Sequence, residues 1–412
     1  MIESPKISVV IPTKYAGQSI YATIDTVLSQ SYHNYELIIS DASYSSELSK
    51  VITNKNNSRI RYVNPRRNLS FSDDWNFALE ASTGEYVTFI GDDDALLPTA
   101  LEFFVTALFK TKISAFVWNK INYNWPNHLL PDQRNIMVGE SSPILYTVSA
   151  AKALRLASKF RLGYAKLPCI YNSIVSRQTI ENIRKLSPGN SFFCGVVPDV
   201  YSSIAIAASI EKYIYAMFPL SVNGAAKHSS GVKQGVPNLS EDLKKTIPDV
   251  LSSGNRYHPD IGPFSSSVAS IVMGEYLIAK SILKEFHFPE PNWRNYITYM
   301  TREAKGSNQA ERILNAARHT KRRRGIRLFV PDCMPRSGND VVYYSNSYFQ
   351  GRLALDDSVV GDVRDAAKLF GCLVPREFAL NDRLVIYTMA KVFVKEIVNK
   401  LVLLYQFLLV KY

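Results

Sequence analysis

The sequence predicts an α/β protein with a mostly parallel central sheet flanked by helices and a largely helical C-terminal extension. Short apolar β-runs alternate with segments of helical period through the first hundred residues. Their intervals are those of βαβ units, which build parallel sheets. Residues 264–330 then read as helices.

The elements follow in order. Ile7-Ser8-Val9-Val10-Ile11-Pro12 is a buried strand stopped by proline. Residues 18–30 place Ile20, Ile24, Val27 and Leu28 on one helical face. Tyr35 to Ser40 is a second strand, ending at Asp41-Ala42-Ser43. Arg59 to Val63 is a short third strand, and residues 70–81 form a helix for which Ser72 is the expected cap. A central strand over 85–90 runs into Gly91-Asp92-Asp93-Asp94, and a helix over 98–109 follows. Pro198-Asp199 opens a further helical run over 200–210.

Three adjacent carboxylates repel one another and are costly to desolvate. A divalent cation removes that cost, and hard cations prefer oxygen ligands. A solvated acidic turn is the plain alternative. Ligands of open α/β sheets sit beyond the carboxyl ends of the strands. Pro12, Asp41 and Asp92 to Asp94 all fall at such ends, so they are expected to share a pocket. No GxGxxG follows the first strand and no GxxxxGK[ST] occurs, which removes the main support for dinucleotide and P-loop chemistry.

The chain of 412 residues is long enough for two or three domains, with expected divisions at 1–230, 231–330 and 331–412. Cys169, Cys194, Cys333 and Cys372 form no CxxC pair and read as reduced cytosolic thiols. Met1 to Lys6 is polar and leads straight into a strand, unlike a signal peptide. The formal charge of +12 suits an anionic partner: nucleic acid, anionic lipid or a phosphorylated substrate.

Several stretches, in order, carry a resemblance. They are Ser8 to Thr13, Ile24 to Tyr32, Tyr35 to Ser43, and Gly84 to Asp94 with Pro98. Together they resemble a family 2 glycosyltransferase with the GT-A fold, over about residues 5–230. The resemblance implies an inverting transfer of a sugar from a nucleotide diphosphate sugar, a UDP-sugar above all. The acceptor would be a hydroxyl of a glycan or lipid-linked glycan, with Mn²⁺ or Mg²⁺ as cofactor and no nucleic acid partner.

It implies site residues as well. Pro12, Thr13 and Asp41 would face the nucleotide, with Asp41 at the base or ribose. Asp93 matches the metal-binding acid by its distance to Pro98, with Asp92 or Asp94 in support through the ribose or a metal-bound water and Asp94 counted as a further metal ligand. Arg67, Asn76 and Lys227 are further donor-side candidates, and His228 a further metal ligand. Asp199 is the expected general base; its plainer reading is an acid stabilising a helix N-terminus. This chain departs from the family pattern twice: Ser40-Asp41 replaces an acidic pair, and Gly91 replaces the first acid of Asp-x-Asp. The alternatives are a nucleotidyltransferase of similar fold and a non-catalytic glycan- or membrane-binding module.

Residues 221–263 read as a lid or acceptor loop. Lys321 to Arg324 with Arg327 form a positive patch. Leu384 to Tyr412 is apolar but interrupted by Lys391, Lys395 and Lys400, and its longest apolar block falls short of the about 20 residues needed to cross a bilayer. Lysines on one face of such a helix suit an anionic membrane surface; a homodimer interface or simple packing are the other readings. The expected location is the cytoplasm, with peripheral attachment to the cytoplasmic membrane face.

Overall fold

A computed structural model describes residues 4–14, 17–126, 135–139, 141–229, 259–261, 267–305, 310–331, 349–354 and 360–381. The C-terminal run 384–412 and most of the expected lid lie outside these residues.

The first half runs β1 (Ile7–Thr13), α1 (Ser19–Leu28), β2 (Tyr35–Asp41), α2 (Glu47–Lys55), β3 (Ile60–Val63), α3 (Phe71–Glu80), β4 (Tyr86–Phe89), β5 (Ala95–Leu96) and α4 (Ala100–Thr111). There follow β6 (Ala115–Asn124), β7 (Asn135–Gly139), β8 (Ile144–Ser149), α5 (Ala150–Ala157), β9 (Ser173–Ser176), α6 (Arg177–Leu186), α7 (Pro198–Ser209) and β10 (Lys212–Ala225). The chain continues with α8 (Val268–Ile282), α9 (Trp293–Ala304), α10 (Ala310–Arg323), β11 (Phe349–Ala354), α11 (Val363–Phe370) and β12 (Ala379–Asn381).

The sheet order is β12-β8-β10-β6-β9-β4-β1-β2-β3. Strands β3, β2, β1 and β4 are the expected parallel block. Beyond β4 the pairing is mixed: β9 is antiparallel to both β4 and β6, and β10 is parallel to β6 but antiparallel to β8. The block follows from the side-chain period of a strand, which sends alternate residues to opposite faces. Val10 and Ile38 pack under α3 and α7 residues such as Trp75, Leu79 and Ile204. Val9, Ile11, Leu37 and Ile39 pack on the other face against Ile20, Ile24 and Val27 of α1 and Phe104 of α4. With both faces covered, the strands carry nearly unbroken apolar runs. Each buried Ile or Leu contributes about 1.5–3 kcal/mol of transfer free energy.

The cap of α3 is Ser70, whose hydroxyl accepts from the Asp73 N–H. Ser72, the expected cap, lies inside the helix and donates to Gly195 O at 2.5 Å.

The described residues beyond 330 pack on the sheet and on α1. β12 pairs in parallel with β8, and β11 pairs with β7. Val363, Ala366, Ala367 and Phe370 of α11 share one apolar cluster with Ala22, Leu97 and Val222. Arg364 also reaches Asp25 at 2.9 Å. The helical extension is α8 to α10, with its own core around Tyr296, Met300 and Leu314. Through Ile271 and Tyr276, α8 also joins the core beneath α7. Among the described residues, no helix is long and apolar enough to cross a membrane.

Candidate active site

The acids form a tight turn between β4 and β5. Ile90 N–H still donates to Val10 O, so the turn begins beside the carboxyl end of β1. The three side chains then part company. Asp94 is fully buried. Its Oδ2 accepts from Gly91 N (2.7 Å), Tyr171 OH (2.7 Å) and Asn172 Nδ2 (3.0 Å), and its Oδ1 from Gly224 N (2.8 Å). Four donors satisfy this carboxylate and stitch β4, β9 and β10 together. Asp93 Oδ2 accepts from Ala226 N (3.0 Å) and from the Ser229 hydroxyl. Burial, then the charges of Asp94 and Asp92, push the Asp93 carboxyl up. Asp92 is the most open of the three. Its Oδ2 accepts from Thr13 Oγ1 (2.5 Å), and its Oδ1 lies 3.0 Å from His228 Nε2.

Backbone approach makes this closeness feasible. A Cβ at Gly224 would fall 1.7 Å from the Asp93 carbonyl oxygen, so only glycine lets β10 run against the acid turn. Trp125 Nε1 donates to the same carbonyl at 2.9 Å. At Gly91, a Cβ would meet Asp93 Oδ1 at 3.0 Å and Asp94 Oδ2 at 3.1 Å. The position where the family pattern has an acid is therefore crowded by Asp93 and Asp94, two of the three acids that follow.

Asp41 ends β2, fully buried, with Oδ1 accepting from Ser43 N (2.9 Å) and Oδ2 from Tyr62 OH (2.8 Å). Asp74, on the first turn of α3, is a neighbour that the sequence did not single out. Burial pushes its carboxyl up to about 7; Lys14 opposes this and Asp41 adds to it. Its Oδ1 is buried with no hydrogen-bond partner. Asp74 thus supplies a second carboxyl beside Asp41, where the family pattern would place it on the strand itself.

A measurable consequence follows from the sign of that shift. An unfolded aspartate releases its proton near pH 4, roughly, whereas Asp74 keeps it to about 7. Between these values the folded state binds more protons, so its stability falls as pH rises through the window. Asp74→Asn is expected to be more stable than the parent at pH 8, on the order of 2 kcal/mol, and nearly equal to it at pH 4. Thermal melts at both pH values check this, and equal gaps at the two would refute it.

Asp199 occupies the first turn of α7, after Pro198. It is half-buried, and burial raises its carboxyl while Lys120 draws it back. Lys120 Nζ sits 5.2 Å over the Tyr171 ring. Tyr171 joins the two acidic groups: its hydroxyl bonds Asp94, and its own ionisation is suppressed by burial, then by Asp94, Asp93 and Asp199.

The other expected residues are distributed as follows. Pro12 pairs with Ser40 near the carboxyl ends of β1 and β2. Arg67 is exposed. Lys227 is exposed beside His228 on the 226–229 turn. Asn76 does not offer its amide to a ligand pocket. Its Oδ1 accepts from Phe192 N and Phe193 N, 3.0 Å each, and its Nδ2 donates to Phe193 O at 2.9 Å. Its geometry is that of a clamp on the segment before α7. Lys14, Tyr62, Asp74, Asn172 and Ser229 were not singled out from sequence. Cys169, Cys194 and Cys372 are free thiols.

The glycosyl transferase family 2 signature matches residues 8–167. A GalNAc(5)-diNAcBac-PP-undecaprenol beta-1,3-glucosyltransferase from Campylobacter jejuni is 34% identical over 100 residues, 24% of this chain and 32% of the relative. A putative colanic acid biosynthesis glycosyl transferase, WcaA of Escherichia coli, is 33% identical over 120 residues, 29% and 43% of the two chains. The chain thus spans less than half the length of these curated relatives. Among solved structures, S. aureus TarS 1-349 in complex with UDP is similar with a TM-score of 0.43 and 14% identity, over 78% of this chain and 92% of that one. The central mixed sheet with flanking helices is the GT-A architecture that the sequence resemblance implied. By this match, residues 8–167 carry a glycosyl transferase family 2 domain.

Proposed function

We propose that the chain is a metal-dependent, inverting glycosyltransferase that moves a sugar from a UDP-sugar to a hydroxyl of a glycan, lipid-linked in the cell. The carrying observation is the meeting of the acid turn with Thr13 of β1 and His228 at the carboxyl end of the parallel block. Relatives named for UDP-glucose donors and diphosphoundecaprenol acceptors support the substrate class. The glycosyl transferase family 2 match over residues 8–167 supports this reading over the nucleotidyltransferase alternative. Peripheral attachment at an anionic membrane surface suits a lipid-linked acceptor, and the exposed Arg322, Arg323 and Arg324 are consistent with it.

The residues at the acid turn fit a divalent cation. Asp92 and His228 present a carboxylate oxygen and an imidazole nitrogen 3.0 Å apart at the open edge. Asp93 lies behind them. Among the described residues no three such groups converge tightly enough to enclose an ion. Mg²⁺ and Mn²⁺ take one or two carboxylates and complete their shell with phosphate oxygens and water. Asp92 and His228 are the ligands proposed, with the buried Asp93 in support behind them. Asp94 is reassigned from ligand to scaffold, because its lone pairs already hold four donors. When bound, the ion neutralises charge on the departing diphosphate.

Asp41 would orient the nucleoside, with Thr13 and Pro12 lining its path to the acid turn. Asp199 is the proposed general base. As the acceptor oxygen bonds to the anomeric carbon, its proton passes to the Asp199 carboxylate. The bond from that carbon to the diphosphate breaks, and UDP leaves with the electron pair. A single displacement of this kind inverts the anomeric centre.

Calorimetry of UDP with and without Mn²⁺ tests the site. The ion is expected to tighten UDP binding about tenfold or more, and Asp92→Ala or His228→Ala to remove most of that gain. Equal UDP affinity with and without the ion in the parent protein would overturn the metal assignment.

A further inference from the structure

Glu275 is a carboxylate that the proposed chemistry does not use. It lies on α8, more than a hundred residues past the family signature, and it is fully buried. Burial pushes its carboxyl up to about 8, with Asp199 contributing in the same direction. A buried acid is expensive unless it makes specific bonds. Here Oε1 accepts from both Val196 N and Val197 N, at 2.9 Å each. Val197 is the N-cap residue of α7 and makes no side-chain cap of its own, and Asp199 lies two residues further on.

The rest of that segment is held as tightly. Asn76 bonds Phe192 N, Phe193 N and Phe193 O, and Ser72 Oγ bonds Gly195 O. Gly195 admits the acid: a Cβ there would fall 1.7 Å from Glu275 Oε2. Two residues of α3 grip one end of the segment, and one residue of the helical extension grips the other.

We propose that Glu275 is a positioning residue: it fixes the turn that enters α7 and thereby aims the Asp199 carboxylate at the acceptor hydroxyl. This rests on Asp199 being the base. An anchor next to the reacting group matters because displacements of about 1 Å at a catalytic group cost on the order of 100-fold in rate. The bonds need an acceptor oxygen rather than a charge, so glutamine at this position preserves the function and methionine removes it at nearly equal volume.

The test compares Glu275→Gln, Glu275→Met and Asp199→Asn, reading UDP release from UDP-glucose with Mn²⁺, UDP affinity by calorimetry, and thermal melting. Glu275→Gln is expected to keep kcat within about threefold, and Glu275→Met to lower it about 10–100-fold with KM and UDP affinity unchanged. Wild-type kcat in Glu275→Met beside an inactive Asp199→Asn overturns the proposal alone. Loss of UDP affinity along with kcat overturns it too, since that marks a merely structural role. A fully active Asp199→Asn overturns the Asp199 reading instead. Hydrogen exchange on the unmodified chain needs no variant to fold. The Val196 and Val197 amides are expected to be as protected as those inside α7, and rapid exchange there overturns the clamp whatever the donor proves to be.

Discussion

Asp199→Asn is expected to lower turnover roughly 10²–10⁴-fold while leaving UDP affinity in the presence of Mn²⁺ unchanged. Asparagine keeps the size and hydrogen-bonding reach of aspartate but cannot take a proton. The surroundings of Asp199 prepare it for that task. Burial raises its carboxyl above the ordinary aspartate range, which makes it a better proton acceptor once ionised, and Lys120 nearby favours the ionised form. Its position at the start of α7 would by itself suit a helix-stabilising acid. The two roles separate cleanly, because loss of a dipole interaction removes about 0.3–1 kcal/mol of stability and no catalysis. Steady-state rates for donor hydrolysis, with melting curves alongside, distinguish them. A variant that melts slightly earlier but turns over normally would leave Asp199 as a helix acid only.

The second large effect divides the three adjacent acids by function. Asp94→Ala is expected to destabilise the fold by on the order of 4 kcal/mol, because it strands several buried donors that each cost about 1–3 kcal/mol. Those donors are Gly91 N, Gly224 N, Tyr171 OH and Asn172 Nδ2, of which Gly224 N and Asn172 Nδ2 lie in fully buried contacts. Asp92→Ala removes only a bond from Thr13 and the contact with His228 at a partly exposed edge. Its stability is expected to stay within about 1 kcal/mol of the parent, while its metal-dependent UDP binding falls. Denaturant unfolding of both variants with calorimetry beside it measures the contrast. A stable Asp94→Ala that loses only metal binding would restore Asp94 as a ligand and undo the scaffold assignment.

The parallel block was legible because its strands are apolar on both faces and its helices have a clear period; β1, α1, β2, α3 and β4 lie within a residue or two of the expected ranges. The helices expected over 98–109 and 200–210 are likewise present as α4 and α7, but the strand pairing beyond β4 was not legible. The long strand β10 contains Pro219, and its register against β6 shifts on both sides of that residue. Its partners β6 and β8 precede it by many residues, and such long-range pairing leaves no local pattern. The acid turn announced itself because its carboxylates are adjacent in sequence. Their separate roles did not, since the groups that tell Asp94 from Asp92 come from residues 13, 171, 172, 224 and 228. Asp74 and Glu275 were illegible for the same reason: each is an ordinary acid in a helical run until the chain brings Asp41 or the 195–197 segment against it. Asn76 reads from sequence as a donor-side candidate, but its amide is spent on the backbone of Phe192 and Phe193, because a side chain's neighbours decide whether it faces a ligand or a backbone.

The pairing of β12 with β8 has a consequence for how the chain is made. Until residue 379 has been synthesised, β8 presents an unpaired outer edge, although β10 on its other side has long since been completed. The Asp25–Arg364 contact likewise joins residues 339 apart. Contacts of such separation are slow to form, and an open strand edge recruits other chains in the meantime. The nascent protein therefore passes through a stage in which the parallel block can be folded while its sheet is still adhesive. Closing that edge is the task of a three-residue strand near the far end of the described chain.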